Sequence, residues 1–325
     1  MRASEQIPGQ VNPAWPARLH VVTGKGGTGK TTVAAALALG LAAGGRRTLL
    51  VEVEGRQGIA ELFGLGPLPY EERRVAGTPD GGEVRALAVD AELALLEYLD
   101  MFYKLGAAGR ALRKFGAIDF ATTIAPGLRD VLLTGKVKEA TTRTVDRRRV
   151  YHAVVLDAPP TGRIGRFLNV TAETARLAKV GPIKTQSENV ATLLRSPMTA
   201  VHVVTLLEEM PVQETVDAIA DLDALGIPIG KVIVNATRPP LLTGTKVNQA
   251  ELRRGLAAAG LATDRATVSG LYAEAKAYLT RHELEESLRV ELAELGEPMV
   301  ELPLLPGGVD RAALDTLAAE LLGTQ

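Results

Sequence analysis

Gly24-Lys25-Gly26-Gly27-Thr28-Gly29-Lys30-Thr31-Thr32 is the stretch from which the rest of the chain is read. It fits the template G-x-x-x-x-G-K-[ST], with Gly24, Gly29, Lys30 and Thr31 at the fixed places. The residues before it, 19–23, are short, apolar and β-branched and predict a buried strand. The residues after it, 33–39, are alanine and leucine with one valine and predict a helix. Strand, glycine loop and helix together make a phosphate-binding loop. Gly26, Gly27 and Gly29 let the backbone curl round a β-phosphate, and Thr28 completes the loop. The helix N-terminus adds partial positive charge. Lys30 is placed at the β- and γ-phosphates, Thr31 at Mg²⁺ and Thr32 at the α-phosphate. The expected cofactors are therefore ATP and Mg²⁺.

Outward from the loop, the chain alternates strand and helix. Strands are predicted at 47–54, 84–89, 150–157, 201–206, 229–235 and 300–302, and helices at 211–225, 263–295 and 310–322. Residues 64–82 are rich in glycine and proline and predict irregular connection. Residues 90–149 change character, with apolar stripes over 93–103 and 128–137 and no strand pattern. They predict a helical subdomain inserted in the sheet. The fold class is α/β, a doubly wound and mainly parallel sheet of P-loop NTPase type with a helical insertion. Residues 1–17 hold three prolines and no continuous apolar core. They are expected to be a flexible leader rather than a signal peptide, fastened by Trp15, with one ATPase domain over 18–325.

Composition narrows the chemistry. Hydrophobic residues are 46% and charged residues 23%, an ordinary globular balance. A net charge of −1 gives no bulk electrostatic case for nucleic acid. With no cysteine, disulfides, thiolate zinc sites and thiol-bound arsenic are excluded.

Two further stretches complete the expected site. Residues 47–54 end in carboxylates, and Glu54 and Gly55 begin Glu54-Gly55-Arg56-Gln57. Residues 153–157 are four apolar positions and Asp157, the pattern of a Walker B strand whose aspartate holds Mg²⁺. Ala158-Pro159-Pro160-Thr161-Gly162-Arg163 follows and is expected to be a switch loop through Pro160, Thr161 and Gly162, in which Gly162 can move and its N–H can sense the γ-phosphate.

Lys25, directly after the first glycine, makes the loop similar to the deviant Walker A group, KGGTGKTT. In combination with Asp157-Ala158-Pro159-Pro160-Thr161-Gly162-Arg163, the sequence resembles the arsenical pump-driving and guided-entry-of-tail-anchored-proteins ATPase family, and its actinobacterial members in particular. Residues 125–130 are similar to that family's P-G-x-D-E segment. The resemblance implies a cytoplasmic ATPase forming a homodimer, or a heterodimer with a paralogue, around nucleotide. Lys25 would cross to the partner's nucleotide, Asn235 and Pro303 would contact adenine, and Glu54 would orient the attacking water. It also implies a groove for a hydrophobic transmembrane-helix client on the helical insertion. The sequence departs from the family at Glu54, which stands where an aspartate is usual. Its extra methylene shifts the carboxylate and predicts slow turnover. The family's interface zinc motif and arsenic-binding cysteines are absent.

Two other readings compete. A partition or division-site ATPase shares the loop but needs a basic DNA- or membrane-binding surface. The helix at 310–322 carries one arginine against Asp310, Asp315 and Glu320. A nucleotide-dependent scaffold with little turnover is the third reading and rests on Glu54.

Overall fold

The computed structural model describes residues 14–103, 126–172, 182–242 and 247–323. The first half runs β1 (Leu19–Gly24), α1 (Lys30–Ala42), β2 (Arg47–Glu52), α2 (Gly58–Leu62), β3 (Arg73–Gly77), β4 (Glu83–Ala88) and α3 (Ala91–Tyr103). Next come α4 (Pro126–Thr142), the two-residue strands β5 (Thr144–Val145) and β6 (Arg148–Arg149), β7 (Ala153–Asp157), α5 (Thr161–Leu168) and α6 (Pro182–Leu194). The last part holds β8 (Thr199–Thr205), α7 (Glu209–Ala224), β9 (Ile229–Thr237), α8 (Gln249–Ala258), α9 (Arg265–Ala293), β10 (Met299–Pro303) and α10 (Arg311–Leu322).

Eight strands form one sheet in the order β10-β9-β8-β1-β7-β2-β4-β3. Every pairing is parallel except β3 with β4. The chain moves outward from β1 in one direction, returns to insert β7 between β1 and β2, and then builds outward through β8. That reversal leaves a crevice at the carboxyl end of β1, the place where doubly wound sheets hold ligands. β1 and β7 are buried at every residue, so they read as continuous apolar runs rather than as alternating patterns.

Helix α1 explains its alanines by what surrounds it. It lies in the layer with α10, between that helix and the sheet, and nearly all of it is buried. A Cβ on Gly40 would lie 3.0 Å from Leu322, so small side chains set the approach of α10. The opposite layer holds α3, α4, α5 and α6, whose buried Leu95, Tyr98, Leu132, Val137, Phe167 and Leu193 share one core with β1, β2 and β7. Fully burying each such side chain stabilises the fold by about 1.5–3 kcal/mol. A third, smaller core lies where α9 packs Leu288 and Leu292 against α7 and β9.

Several local expectations change. Residues 64–82 contain β3, an antiparallel edge strand that closes one side of the sheet. Residues 90–149 contain the β5–β6 hairpin, whose turn residues Asp146 and Arg147 have φ of 49° and 61°. Helix α8, capped by the Asn248 side chain on Glu251 N, was not foreseen. Trp15 and Ala17, at the end of the expected leader, are core residues, and Trp15 Nε1 donates to Leu321 O at 3.1 Å. In the expected groove stripes, Tyr98, Val131, Leu132 and Val137 pack inward. The side chains of Leu99, Phe102 and Tyr103 lie outside the described residues.

Candidate nucleotide site

The loop after β1 is held open by its neighbours. Gly24 is at the tightest point, where a Cβ would sit 2.2 Å from Val204 O of β8. Gly29 is left-handed at φ 89° and forms the N-cap of α1, with a virtual Cβ 2.4 Å from Asn235 Nδ2. Only glycine fits either position. At Gly26 and Gly27, by contrast, no atom lies within 4 Å of the virtual Cβ, which leaves their backbone open to a ligand. Thr28 is buried, and its Oγ1 donates to Lys25 O at 2.9 Å. Asn235, at the end of β9, donates from Nδ2 to Thr28 O at 2.9 Å. In this structure that side chain therefore braces the phosphate loop.

Lys30 and Thr31 open α1. Lys30 is buried, and its ammonium makes no hydrogen bond to a described residue, although its field reaches Asp157. A buried cation without a bonded anion fits a phosphate ligand. Thr31 Oγ1 donates to Asp157 Oδ2 at 2.7 Å. Asp157 Oδ1 is buried and has no hydrogen-bond partner. An orphaned carboxylate oxygen beside a hydroxyl is a hard donor set that fits Mg²⁺. Burial pushes the Asp157 carboxyl up to about 6; Thr31 and Lys30 oppose this, while Glu52 and Glu54 reinforce it.

The expected first switch region is anchored by the strand-end carboxylate that precedes Glu54 in the pattern. Glu52, buried at the end of β2, accepts from Gln57 N at 2.5 Å and Ile59 N at 3.3 Å. It thereby fixes the turn through Gly55, at φ 69°, and Gln57, at φ 59°. Glu54 stands above this turn with its side chain 15% exposed, 3.4 Å from Arg163 and 3.6 Å from Arg56. Its field reaches Asp157.

The expected mobile loop after Asp157 is shorter than the sequence suggests. Helix α5 begins at Thr161, so Thr161 and Gly162 lie in its first turn and Pro160 is its N-cap. Proline fits there because its fixed φ and extended neighbour suit a helix start. Thr23 Oγ1 donates to Pro159 O at 2.7 Å and ties this segment to β1.

A residue that was not foreseen joins the two halves. Glu214 of α7 accepts from Lys25 Nζ through one carboxylate oxygen and from Thr161 Oγ1 at 2.7 Å through the other. Those bonds, Lys25 first, hold its carboxyl below the usual range. A contact between residues 25 and 214 leaves no pattern in the sequence.

A family model described as Anion-transporting ATPase matches residues 17–196. The chain belongs to this family. The chain is 53% identical over 322 residues to the ATPase BagA of Mycobacterium tuberculosis, covering 94% of each chain. It is 29% identical to Protein Rv2184c of the same organism, covering 67% of this chain and 59% of that one. It is 24% identical to the ATPase GET3 of Kluyveromyces lactis, covering 66% of this chain and 70% of that one. The loop of this ATPase thus sits at the end of a parallel strand, beside a carboxylate, at the crevice of a doubly wound sheet. Among its described residues no helix is long and apolar enough to cross a membrane.

Proposed function

We propose that this ATPase works as a nucleotide-switched dimer, with Lys25 as the element that passes between copies. The observation that carries this is the pair of bonds on Glu214. One carboxylate holds both Lys25, at the phosphate loop, and Thr161, at the start of the expected second switch. Repositioning of Thr161 toward a γ-phosphate would therefore loosen Lys25. The freed lysine would then meet the phosphates of a second copy.

In this reading Lys30 neutralises the β- and γ-phosphates, and Thr31 and Asp157 would hold Mg²⁺. Bound Mg²⁺ supplies charge neutralisation at the phosphate oxygens. Glu54 orients the attacking water. Its placement between Arg56 and Arg163 holds the carboxylate aside and supports slow turnover in the free subunit. A cavity of about 180 Å³ at the ends of β8 and β9, lined by Leu206, Asn235, Thr237 and Arg238, is the expected base pocket. Pro303 stands beside it, paired with Thr237.

The output would be nucleotide-gated handling of a hydrophobic membrane-protein client, a reading supported by the family resemblance. The inward packing of Tyr98, Val131 and Leu132 assigns those side chains to the core instead. Sedimentation of wild type and Lys25→Ala, with ADP and with a non-hydrolysable ATP analogue, tests the switch. The wild type is expected to associate only with the analogue and the variant with neither, each binding nucleotide normally. Analogue-driven association of Lys25→Ala would sink the proposal.

A further inference from the structure

Beside the candidate nucleotide site lies a second cavity, of about 230 Å³, between the ends of β2 and β7 and the first turns of α4 and α5. Its charged lining is Glu54, Arg56, Arg129, Asp130 and Arg163, and Pro159 forms part of the wall. Three arginines from three separate segments and two carboxylate residues line it, a local excess of positive charge in a protein whose net charge is −1. Arg56 and Arg163 both lean on Glu54, at 3.6 and 3.4 Å, with side chains 70% and 59% exposed. Arg129 makes no ion pair with any described residue. Long, weak ion pairs of this kind are readily exchanged for a better anion.

We infer that this cavity is a docking site for inorganic phosphate, taken up as it leaves the candidate nucleotide site. The inference rests on the reading of this chain as a hydrolysing ATPase. The geometry favours a tetrahedral oxyanion over a nucleotide. The cavity opens on the α4–α5 face of the sheet, whereas α1 lies on the other face, so a nucleotide on the phosphate loop would not fill it. Glu54 forms part of the lining, and Pro159 is tied to β1 through Thr23. An anion in the cavity competes with Glu54 for Arg56 and Arg163, which releases the carboxylate. The same helix turn carries Thr161, so occupation of the cavity is felt at Glu214. Arginine suits the task because its planar fork matches two phosphate oxygens at once.

The test is calorimetric titration of orthophosphate into protein saturated with Mg·ADP, which blocks the phosphate loop's diphosphate position. Wild type is expected to bind with an affinity that falls as salt is raised. Arg129→Gln should weaken binding about tenfold, the scale of one exposed charge-assisted hydrogen bond, while ADP affinity stays unchanged. Arg129→Lys should recover part of the loss, because it restores charge without the fork. Glu54→Gln should tighten binding by removing the competing carboxylate. Orthophosphate affinity unchanged by Arg129→Gln, or weakened by Glu54→Gln, overturns the assignment, as does wild type that fails to bind orthophosphate. Because no ATP is present, protein that binds orthophosphate through Arg129 but never cleaves ATP upholds the docking site and refutes only the hydrolytic reading.

Discussion

Glu214→Gln separates the competing demands on Lys25. The substitution removes the charge that faces the ammonium but leaves an oxygen for Thr161. Both side chains of the pair are 31% exposed, so solvent screens the attraction. Pairs of this exposure contribute about 0.2–1 kcal/mol in double-mutant cycles. The subunit should accordingly lose no more than about 1 kcal/mol of stability, and a cycle of Lys25→Met with Glu214→Gln should return a coupling in that range. The larger consequence lies in association. If Lys25 leaves Glu214 to reach a second copy's phosphates, the lost pair no longer opposes closure. Each copy gives up one such pair, so about 0.4–2 kcal/mol appears as tighter analogue-dependent dimerisation, by about 2-fold to 30-fold. Raising the salt should shrink the difference between wild type and variant, since the restraint being removed is a screened charge pair. Sedimentation equilibrium at two ionic strengths reads the effect. Weaker association in Glu214→Gln would refute the reasoning and make Glu214 part of the closed state rather than a restraint on it.

Three other outcomes follow from the same geometry. Asp157→Asn should stabilise the metal-free, nucleotide-free protein at neutral pH. Burial raises that carboxyl from 3.8 to about 6, a cost of about 3 kcal/mol that is absent below the unfolded value and complete above the folded one. Thermal melts should show the gain at pH 8 and lose it near pH 4, and Mg²⁺ should no longer raise ATP affinity in the variant. His20, fully buried against His202 at 3.1 Å, is lowered from 6.5 to about 4, chiefly by burial. It protonates first in the unfolded chain and costs about 3 kcal/mol as pH drops from 6.5 toward 4, opposite in sign to Asp157, so urea unfolding in the Asp157→Asn background, where that carboxyl no longer titrates, should show stability that holds above pH 6.5 and falls toward pH 4. A flat profile would count against the buried pair. Gly29→Ala should weaken ATP binding at least about tenfold, since φ 89° and Asn235 Nδ2 at 2.4 Å both resist a Cβ. Asn235→Ala in that background should restore part of the loss, because it removes the clash but not the strain.

Much of the architecture was legible because local and global signals agree. The phosphate loop, its flanking strand and helix, and the Asp157 strand are each continuous in sequence, and each falls where it was expected. What was missed either lacks a local pattern or depends on contacts far apart in the chain. β3 is an edge strand whose Arg73 and Arg74 are exposed, so its sequence carries no apolar run. The β5–β6 hairpin is two residues a side and turns through positive φ at Asp146 and Arg147 rather than at glycine. Helix α8 buries none of its residues, which removes the apolar stripe by which helices are recognised. Glu52 and Glu54 both looked like strand-end carboxylates. Only the turn after β2 shows that Glu52 faces the backbone amides while Glu54 faces the arginines. Glu214 was invisible as a partner of Lys25 because a salt bridge across 189 residues leaves no local pattern.

The seating of α1 has a consequence for how the protein is made. This helix carries Lys30 and Thr31 at its start, yet its outer cover is α10, and Trp15 at its base bonds Leu321 across 306 residues. During synthesis from the N-terminus the nucleotide loop emerges early, but its helix stays half-wrapped until α10 has left the ribosome. Until then the part of α1 that packs on α10, with Gly40 against Ala318 and Leu322, is an apolar face in water, open to chaperones and to aggregation. A chain stopped before Arg311 should therefore be sticky and bind nucleotide poorly, although every residue of the phosphate loop is present.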